Sequence, residues 1–225
     1  MDDLAKIFAV EEVRTEPLPP RYNVAPTLPV YAVAVRRDHR ALGTFKWGLV
    51  PSWAKDPSVG NRMINARAEG IDSKPAFRSA LARRRCLIPA DAFYEWQRRS
   101  GPDGRPAGKL PYAIRRLDGQ PMAFAGLWEV WRDPENPEGD PLRTCVIVTT
   151  AANDLMAPIH DRMPVVLDPG DWDQWLDPSV EASRAQKLLV PAPPEWFEVF
   201  PVSSRVNNVA NDGPELLDPV PPPER

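Results

Sequence analysis

Proline is the residue that most constrains how this chain can fold, since 29 of its 225 residues are proline and they are scattered along the sequence. Each proline fixes its own φ and removes a backbone N–H donor, so prolines such as Pro51 and Pro164 are expected to rigidify turns beside strands. Because the prolines do not pool in a linker, they mark no domain boundary, and we predict one domain over residues 1–220. The Pro-rich segment that begins at Pro219 is predicted to be extended, and residues 221–225 are predicted to form a loose tail.

Strand patterns dominate the middle of the sequence. Residues 31–35 and 144–149 are short apolar runs typical of buried strands. Residues 111–114 and 122–128 flank Asp118-Gly119, a dipeptide typical of a two-residue turn, so these two strands are predicted to form a hairpin. Strands interspersed with few helices predict an α+β fold built around antiparallel sheet.

Helical patterns are fewer and short. Residues 3–13 and 76–85 place apolar side chains on one face. Asp168-Pro169 precedes Trp172 and Trp175, which is the pattern of an N-cap followed by proline at the first helical position.

Several classes of protein are excluded by composition. No apolar run approaches the length of a membrane span, and the acidic start does not resemble a secretory signal. Cys86 and Cys145 stand far apart without metal-ligand spacing, which indicates a reduced, cytoplasmic setting and argues against a disulfide scaffold or a zinc site. We expect no metal and no cofactor.

Charge is unevenly distributed, although the net charge is only −3. Residues 60–116 contain 13 Lys and Arg against 5 Asp and Glu, whereas the remainder contains 15 against 26. A locally basic face can attract phosphates because salt confines its field to about 10 Å. An ordinary solvated surface is the alternative, and residues 98–108 within this stretch are predicted to form a surface loop.

One polar pattern is suited to holding an anion. If residues 64–69 are extended, Asn65, Arg67 and Glu69 share one face, and small apolar residues share the other. An amide, a guanidinium and a carboxylate side by side can bind an anion and orient a reacting group. An amphipathic edge strand without a binding function would show the same alternation.

Two residues are candidates for proton transfer. Glu95 lies among aromatic residues, and partial desolvation there would raise its pKa. His160 is bracketed by prolines and followed by an acid and an arginine, and imidazole exchanges protons near neutral pH. The alternatives are a surface glutamate between core aromatics and a structural histidine in a rigid loop.

Two tryptophans, Trp47 and Trp53, lie in a segment shaped by glycine and proline. Exposed rings beside basic groups form stacking platforms for the bases of single strands. Packing of both rings in the core is the alternative, because most tryptophans are buried.

Taken together, these segments resemble motifs of the SRAP family of abasic-site processing proteins, also called SOS-response-associated peptidases. Seven stretches agree in order, and the resemblance covers roughly residues 4–220. They are Arg-Tyr-Asn-Val-Ala-Pro at 21–26, Trp-Gly-Leu-Val-Pro-Ser-Trp at 47–53, Ile-Asn-Ala-Arg-Ala-Glu at 64–69, Cys-Leu-Ile-Pro-Ala-Asp-Ala-Phe-Tyr-Glu-Trp at 86–96, Phe-Ala-Gly-Leu-Trp at 124–128, Ile-His-Asp-Arg-Met-Pro at 159–164, and Pro-Val-Ser at 201–203 with Val-Asn-Asn at 206–208.

The resemblance implies a fold, a partner and a reaction. The fold is a single domain with a mainly antiparallel, barrel-like sheet core and a few peripheral helices. The partner is single-stranded DNA that contains abasic sites. The protein is expected to be a monomer in the cytoplasm and to be associated with the nucleoid when it is bound to DNA. Family members begin Met-Cys-Gly-Arg. After methionine removal, the cysteine amine and thiol close a thiazolidine on the aldehyde of the ring-opened sugar, which shields the lesion.

The resemblance also implies roles for single residues. Asn65 orients the cysteine, Glu95 transfers protons at the amine and acts in self-removal of methionine, and His160 assists ring opening and imine formation. Five further residues are implied to contact DNA, the two arginines through phosphates: Arg67, Arg162, Trp47, Trp53 and Asn23.

The sequence departs from the family pattern at its start. Met1-Asp2-Asp3-Leu4 matches the family's first helix, so the first strand and its cysteine have no counterpart, and Cys86 and Cys145 are no substitutes by motif. We expect that the true start lies upstream or that the sequence is trimmed, and that the missing strand leaves a sheet edge uncovered. The alternatives are a non-covalent single-strand-binding module and a hydrolase that pairs Cys86 or a serine with His160.

Overall fold

The computed structural model describes residues 1–100 and 105–221, which form an α+β domain with short helices. Within those residues the α-helices are α1 (Asp2–Ile7), α2 (Pro75–Arg83), α3 (Trp172–Leu176) and α4 (Ala182–Ala185). Short 3-10 helices occupy Pro57–Arg62, Pro169–Asp171, Gln186–Leu188, Pro194–Trp196, Ser204–Asn207 and Pro214–Leu217. None of the described helices has the length and apolar character that crossing a membrane requires.

The strands, numbered along the chain, fall into two sheets. They are β1 (Glu12–Val13), β2 (Pro29–Arg36), β3 (His39–Trp47), β4 (Asn65–Arg67), β5 (Arg85–Ala90), β6 (Ala92–Ser100), β7 (Pro106–Arg116), β8 (Met122–Trp131), β9 (Leu142–Ala151), β10 (Arg162–Pro164) and β11 (Phe197–Pro201).

Five strands close on themselves, which confirms the predicted barrel-like core. The pairs β3–β2, β2–β5, β5–β8 and β8–β9 are antiparallel. The ring is closed by a parallel contact between β9 and β3, where Lys46 aligns with Thr144 and Trp47 with Cys145. β1 extends the sheet beside β3, and β4 and β10 lie on either side of the end of β9.

The second sheet has the order β11–β7–β6 and is antiparallel. The hairpin predicted across Asp118-Gly119 is therefore wrong. The chain does turn there, with Gly119 at φ +70°, but β7 enters the second sheet while β8 pairs with β5 and β9. The dipeptide specifies a reversal, not pairing partners. β8 fits beside β5 because Gly126 lets it approach, and a Cβ there would meet Ile88 at 2.8 Å.

Barrel strands direct alternate side chains into two apolar clusters, so both faces of the strands are covered. One cluster joins Leu87 and Val146 to helix residues such as Leu81 and Trp175. The other joins Ile88 to residues such as Phe197 of the second sheet. Burial on both faces explains why the barrel strands are near-continuous apolar runs in the sequence.

The basic stretch of the sequence is partly structural. Arg85 is 2% exposed, and its guanidinium donates to the carbonyl oxygens of Leu81 at 2.6 Å and Val180 at 3.1 Å. Burial lowers the pKa of Arg85. Arg84 pairs with Glu129 at 2.8 Å. The cations of residues 60–116 therefore do not all belong to one exposed face.

Three predicted boundaries differ from the structure. The first helix ends at Ile7, because Phe8 turns inward to stack on Trp172 with ring centroids 4.7 Å apart. The predicted loop over 98–108 is shorter, since β6 continues to Ser100 and β7 begins at Pro106, while residues 101–104 lie outside the described residues.

The predicted loose tail begins later than its sequence indicates. Pro219 forms a bridge with Val202, and the backbone N–H of Val220 donates to the Pro201 carbonyl at 2.9 Å. The chain is therefore fixed as far as Val220, although prolines surround these positions. Residues 222–225 of the predicted tail lie outside the described residues.

Candidate functional site

β4 presents a polar row beside the end of β9. Its backbone pairs in parallel with β9, where Arg67 aligns with Thr149. Ala66 and Ala68 are 1% and 7% exposed, whereas Asn65, Arg67 and Glu69 are exposed. The alternation predicted for residues 64–69 is confirmed as a geometry, since the three polar side chains are exposed and the two alanines between them are buried.

His160 lies in the loop that joins β9 to β10. The backbone N–H of Arg162 donates to its Nδ1 at 3.0 Å, so the neutral ring carries its proton on Nε2. The Arg162 carbonyl lies 3.2 Å from the same nitrogen and can accept from a protonated ring. The Asp161 carboxylate also lies 3.3 Å from Nδ1, so all of these contacts involve Nδ1 and none involves Nε2.

Topology brings the His160 loop next to β4. β4 and β10 flank the same end of β9, and Thr149 aligns with Arg67 on one side and with Pro164 on the other. Arg162 joins the His160 loop to the segment after β4 through a bidentate ion pair with Glu69, at 2.7 and 2.8 Å. Hydrogen bonding from Arg162 lowers the pKa of Glu69.

Glu95 approaches the same loop from the second sheet. It is half-buried on β6, and burial raises the pKa of its carboxyl, while the charge of His160 is the largest influence in the opposite direction. A hydrogen bond from the Trp96 backbone also lowers that pKa, and the nearby Lys109 does so more weakly. Glu95 and His160 are therefore electrostatic neighbours, although one lies on a strand of the second sheet and the other in a loop of the first.

Gln97 connects these two elements directly, and the sequence reasoning missed it. Its Nε2 donates to the carbonyl of Pro158 at 2.9 Å, two residues before His160. Tyr112, opposite Glu95 in the ladder, donates from its hydroxyl to Gln97 Oε1 at 3.4 Å. Because side chains alternate along a strand, Gln97 shares the face of Glu95, and this spacing of two was the signal available in the sequence.

Comparison with known proteins places the chain in a family. The model of the SRAP family, described as SOS response associated peptidase, matches residues 1–209. The chain belongs to the SRAP family. It is 42% identical over 219 residues to abasic site processing protein YoqW of Bacillus subtilis, covering 96% of this chain and 94% of that protein.

A second relative and a solved structure agree with this assignment. Abasic site processing protein YoaM of Bacillus subtilis is 44% identical over 200 residues, covering 88% of this chain and 85% of that protein. A crystal structure of a protein from Bacteroides thetaiotaomicron superposes with a TM-score of 0.75 at 26% identity, covering 86% of this chain and 82% of the other.

The two tryptophans of this SRAP chain have different environments. Trp47 is half-buried against the second core cluster, and its Nε1 donates to the Ile64 carbonyl at 2.8 Å. Trp53 is 65% exposed. Gly48 between them has φ +132°, and a Cβ there would meet the carbonyl oxygen of Gly60 at 2.5 Å. Trp53 is thus the ring available for stacking, while Trp47 supports the backbone that leads into β4.

Asn23 has a structural position in the SRAP domain. It is 7% exposed, and its amide donates to the carbonyl oxygens of Val206 at 3.0 Å and Asn211 at 3.1 Å. Asp212 accepts from the backbone of Asn23 at 2.9 Å. Its side chain fastens an N-terminal loop to a C-terminal one, and direct contact of Asn23 with DNA stays a prediction.

The cysteines are unsuited to nucleophilic chemistry. Cys86 and Cys145 are both 0% exposed and unpaired. Burial raises the pKa of each thiol well above its ordinary value, so neither supplies the thiolate that attacks a substrate. This disfavours the hydrolase alternative that uses Cys86. In the described part of the chain, no group of three or more His, Cys, Asp and Glu side chains is arranged to hold a metal ion.

Proposed function

We propose that this chain processes abasic sites in single-stranded DNA, with Asn65, Glu95 and His160 at the reacting centre. The observation that carries the proposal is the double attachment of the His160 loop. Gln97 joins it to β6 beside Glu95, and Arg162 joins it to Glu69 beside the polar row of β4. Glu95 and His160 are thereby held next to a face with an amide and an exposed guanidinium, where a sugar and its phosphates would bind.

The chemistry proposed for the centre requires protons at defined atoms. Opening the abasic sugar moves a proton from its hydroxyl to the ring oxygen and releases an aldehyde. Attack by an amine then forms a C–N bond, and the aldehyde oxygen leaves as water. A thiol finally adds across the C=N bond, forming a C–S bond and placing a proton on nitrogen. His160 is assigned to the first step and Glu95 to the second, because a glutamate of raised pKa can deliver the proton that water needs to leave.

The amine and thiol in this proposal come from a cysteine preceding α1, as in the family's Met-Cys-Gly-Arg start. Residues 1–225 supply binding, orientation and proton transfer. Glu95 is further proposed to act in removal of the initiator methionine that exposes the cysteine, the peptidase activity. In a cell, the complex would be associated with the nucleoid.

A comparison of two proteins tests the covalent step. The chain as given, and the same chain extended at its N-terminus to begin Met-Cys-Gly-Arg, are incubated with single-stranded DNA that contains an abasic site. A crosslink that survives heating is expected from the extended form alone, and from neither form when the added cysteine is replaced by serine. The covalent proposal is lost if the extended form yields none.

A non-covalent role is the second candidate, and the exposure of Trp53 favours it. A ring that is 65% exposed can stack on a base without any nucleophile. Fluorescence anisotropy of the chain as given, with single-stranded DNA carrying a tetrahydrofuran abasic analogue, measures this directly. Trp53→Ala should weaken binding, while Trp172→Phe, which alters a buried ring on α3, serves as the control for folding.

A further inference from the structure

The loop that carries His160 is shaped by hydrogen bonds of its own. Asn153 is 9% exposed, and its Oδ1 accepts from the backbone N–H of Met156 at 3.0 Å. The backbone N–H of His160 donates back to the Met156 carbonyl at 3.0 Å. These bonds fix the shape of residues 152–161, but none of them involves β6, the strand that carries Glu95.

Gln97 supplies a link from β6 to the middle of this loop. Its Nε2 donates at 2.9 Å to the carbonyl of Pro158, an exposed residue two positions before His160. Gln97 shares a face of β6 with Glu95, and two residues of a strand span about 7 Å. One side chain thus lies beside the carboxyl of Glu95 and also holds the loop of the imidazole.

The chemistry of these contacts fixes the orientation of the Gln97 amide. A carbonyl oxygen only accepts, so the amide nitrogen must face Pro158 and the amide oxygen must face Tyr112, whose hydroxyl donates to it at 3.4 Å. Tyr112 is half-buried against the second core cluster and lies diagonal to Gln97 across the β6–β7 ladder. The amide is therefore oriented by a side chain of β7, which does not belong to the loop.

The position of the loop decides how strongly Glu95 and the imidazole influence each other. Burial raises the pKa of the Glu95 carboxyl, and the charge of His160 is the largest influence that lowers it. Asp161 raises that pKa, and Lys109 of β7 lowers it more weakly. The Asp161 carboxylate lies 3.3 Å from Nδ1 of His160 within the same loop. Movement of the loop away from β6 would therefore separate the imidazole from Glu95 and keep it beside Asp161.

We propose that Gln97 is a positioning residue that holds the His160 loop against β6, so that Glu95 and His160 transfer protons as one pair. The inference rests on the proposed function, because that function assigns Glu95 and His160 to the reacting centre. In this role Gln97 contacts no reacting atom and acts through the Pro158 carbonyl. Its loss should slow proton transfer and leave the affinity for DNA unchanged.

Crosslinking kinetics test this role in the chain extended to begin Met-Cys-Gly-Arg. Gln97→Met keeps the length of the side chain but cannot donate to Pro158, so single-turnover crosslinking at saturating abasic DNA should slow by roughly ten-fold. Affinity for DNA that carries the non-reacting analogue should be unchanged. The matched control is Gln120→Met, the same substitution at an exposed glutamine between β7 and β8, which should alter neither rate nor affinity.

A double-mutant cycle separates positioning from an independent contribution to the rate. Because Gln97 acts through the Glu95–His160 pair, adding Gln97→Met to Glu95→Gln should slow crosslinking by less than about two-fold beyond Glu95→Gln alone. Tyr112→Phe, which removes the hydroxyl that orients the amide, should slow the reaction in the same direction but less than Gln97→Met.

NMR tests the same coupling in the chain as given, where no reaction is needed. The chain has two histidines, and His39 pairs with Glu11 at 2.9 Å beside the β2–β3 turn, so its ring signals serve as an internal reference. At neutral pH, Glu95→Gln should shift the ring signals of His160 and leave those of His39 in place. When Gln97→Met is also present, the same replacement should shift the His160 signals less.

Three results would overturn the positioning role. They are an undiminished shift of the His160 signals in the presence of Gln97→Met, losses of rate that multiply in the double variant, and a loss of DNA affinity as large as the loss of rate. Each of them leaves the proposed function standing, because the unaltered extended chain still forms the crosslink. If that chain forms none, the proposed function fails, and the NMR comparison still decides whether Gln97 couples Glu95 to His160.

Discussion

The two sides of the candidate site carry glutamates whose pKa values are shifted in opposite directions. On the β6 side, burial raises the pKa of Glu95. On the β4 side, hydrogen bonds from Arg162 lower the pKa of Glu69, which is 58% exposed. One carboxyl is held toward its neutral form in a half-buried strand, and the other is held as an anion at the surface. We therefore propose that the β6 side transfers protons and that the β4 side binds phosphate.

Glu95→Gln should produce the largest effect, because it removes the proton carrier while preserving the shape of the β6 side. In the chain extended to begin Met-Cys-Gly-Arg, single-turnover crosslinking to abasic DNA should slow by about 10²-fold or more. Affinity for DNA carrying the non-reacting analogue should be unchanged. Glu69→Gln is the matched control, and its crosslinking rate should remain close to that of the unaltered protein. Equal losses of rate in the two variants would remove the distinction between the sides.

The arginines of the β4 side should affect binding and leave crosslinking at saturating DNA largely intact. Arg67→Ala and Arg162→Ala should each weaken binding to single-stranded DNA and reduce its salt slope by about 0.7. Arg162→Ala should have the more complex effect. Its guanidinium also donates to the Thr149 carbonyl at 2.6 Å, and it holds Glu69 in the unliganded protein. Fluorescence anisotropy over a range of salt concentrations measures the affinity and its salt slope. Unchanged slopes in the two variants would contradict the assignment of these arginines to phosphates.

The Arg162–Glu69 pair also shows what a DNA phosphate must do to bind there. Arg162 is 19% exposed and already donates to two carboxylate oxygens, although its buried Nε has no hydrogen-bond partner in the described part of the chain, so a phosphate has to displace Glu69 or bind beside it. Exposed ion pairs contribute little to stability because water and salt screen them. Replacing such a pair with an arginine–phosphate contact is therefore a small change in free energy. Arg67 is exposed on β4 and aligns with Thr149, and we propose that it makes the first contact with a phosphate.

Local patterns in the sequence predicted the polar row and singled out Glu95 and His160 as candidates for proton transfer, because each depends on alternation within one strand or on composition within one loop. The contacts that assemble them are not local. Gln97 donates to a carbonyl 61 residues away, and Arg162 reaches a carboxylate 93 residues away. The same limit explains the hairpin error, since Asp118-Gly119 specifies a turn while the close approach at Gly126 decides which strand lies beside β8. Motif order supplied the family, but it could not reveal that Asn23 is buried in backbone contacts.

The smallest expected effect is the pH dependence of stability, and it should have opposite signs on the two sides. Between the ordinary pKa of a glutamate and the raised pKa of Glu95, the unfolded chain has released a proton that the folded chain retains, so this group lowers stability as pH rises through that window. Glu95→Gln removes the penalty, and its Tm relative to the unaltered chain should increase from mildly acidic to neutral pH.

Glu69 stabilises the fold above the ordinary pKa of a glutamate, and that contribution is lost as pH falls through its lowered value. Glu69→Gln should therefore melt below the unaltered chain at neutral pH and approach it in acid. The difference for Glu69 will be the weaker one, because its ion pair is exposed to solvent. Thermal unfolding of the three proteins from acidic to neutral pH decides the matter. If the Tm difference from the unaltered chain changed with pH in the same direction for both variants, the two carboxyls would not be opposite in their pKa shifts. The proposed assignment of proton transfer to one side and phosphate binding to the other would then lose its support.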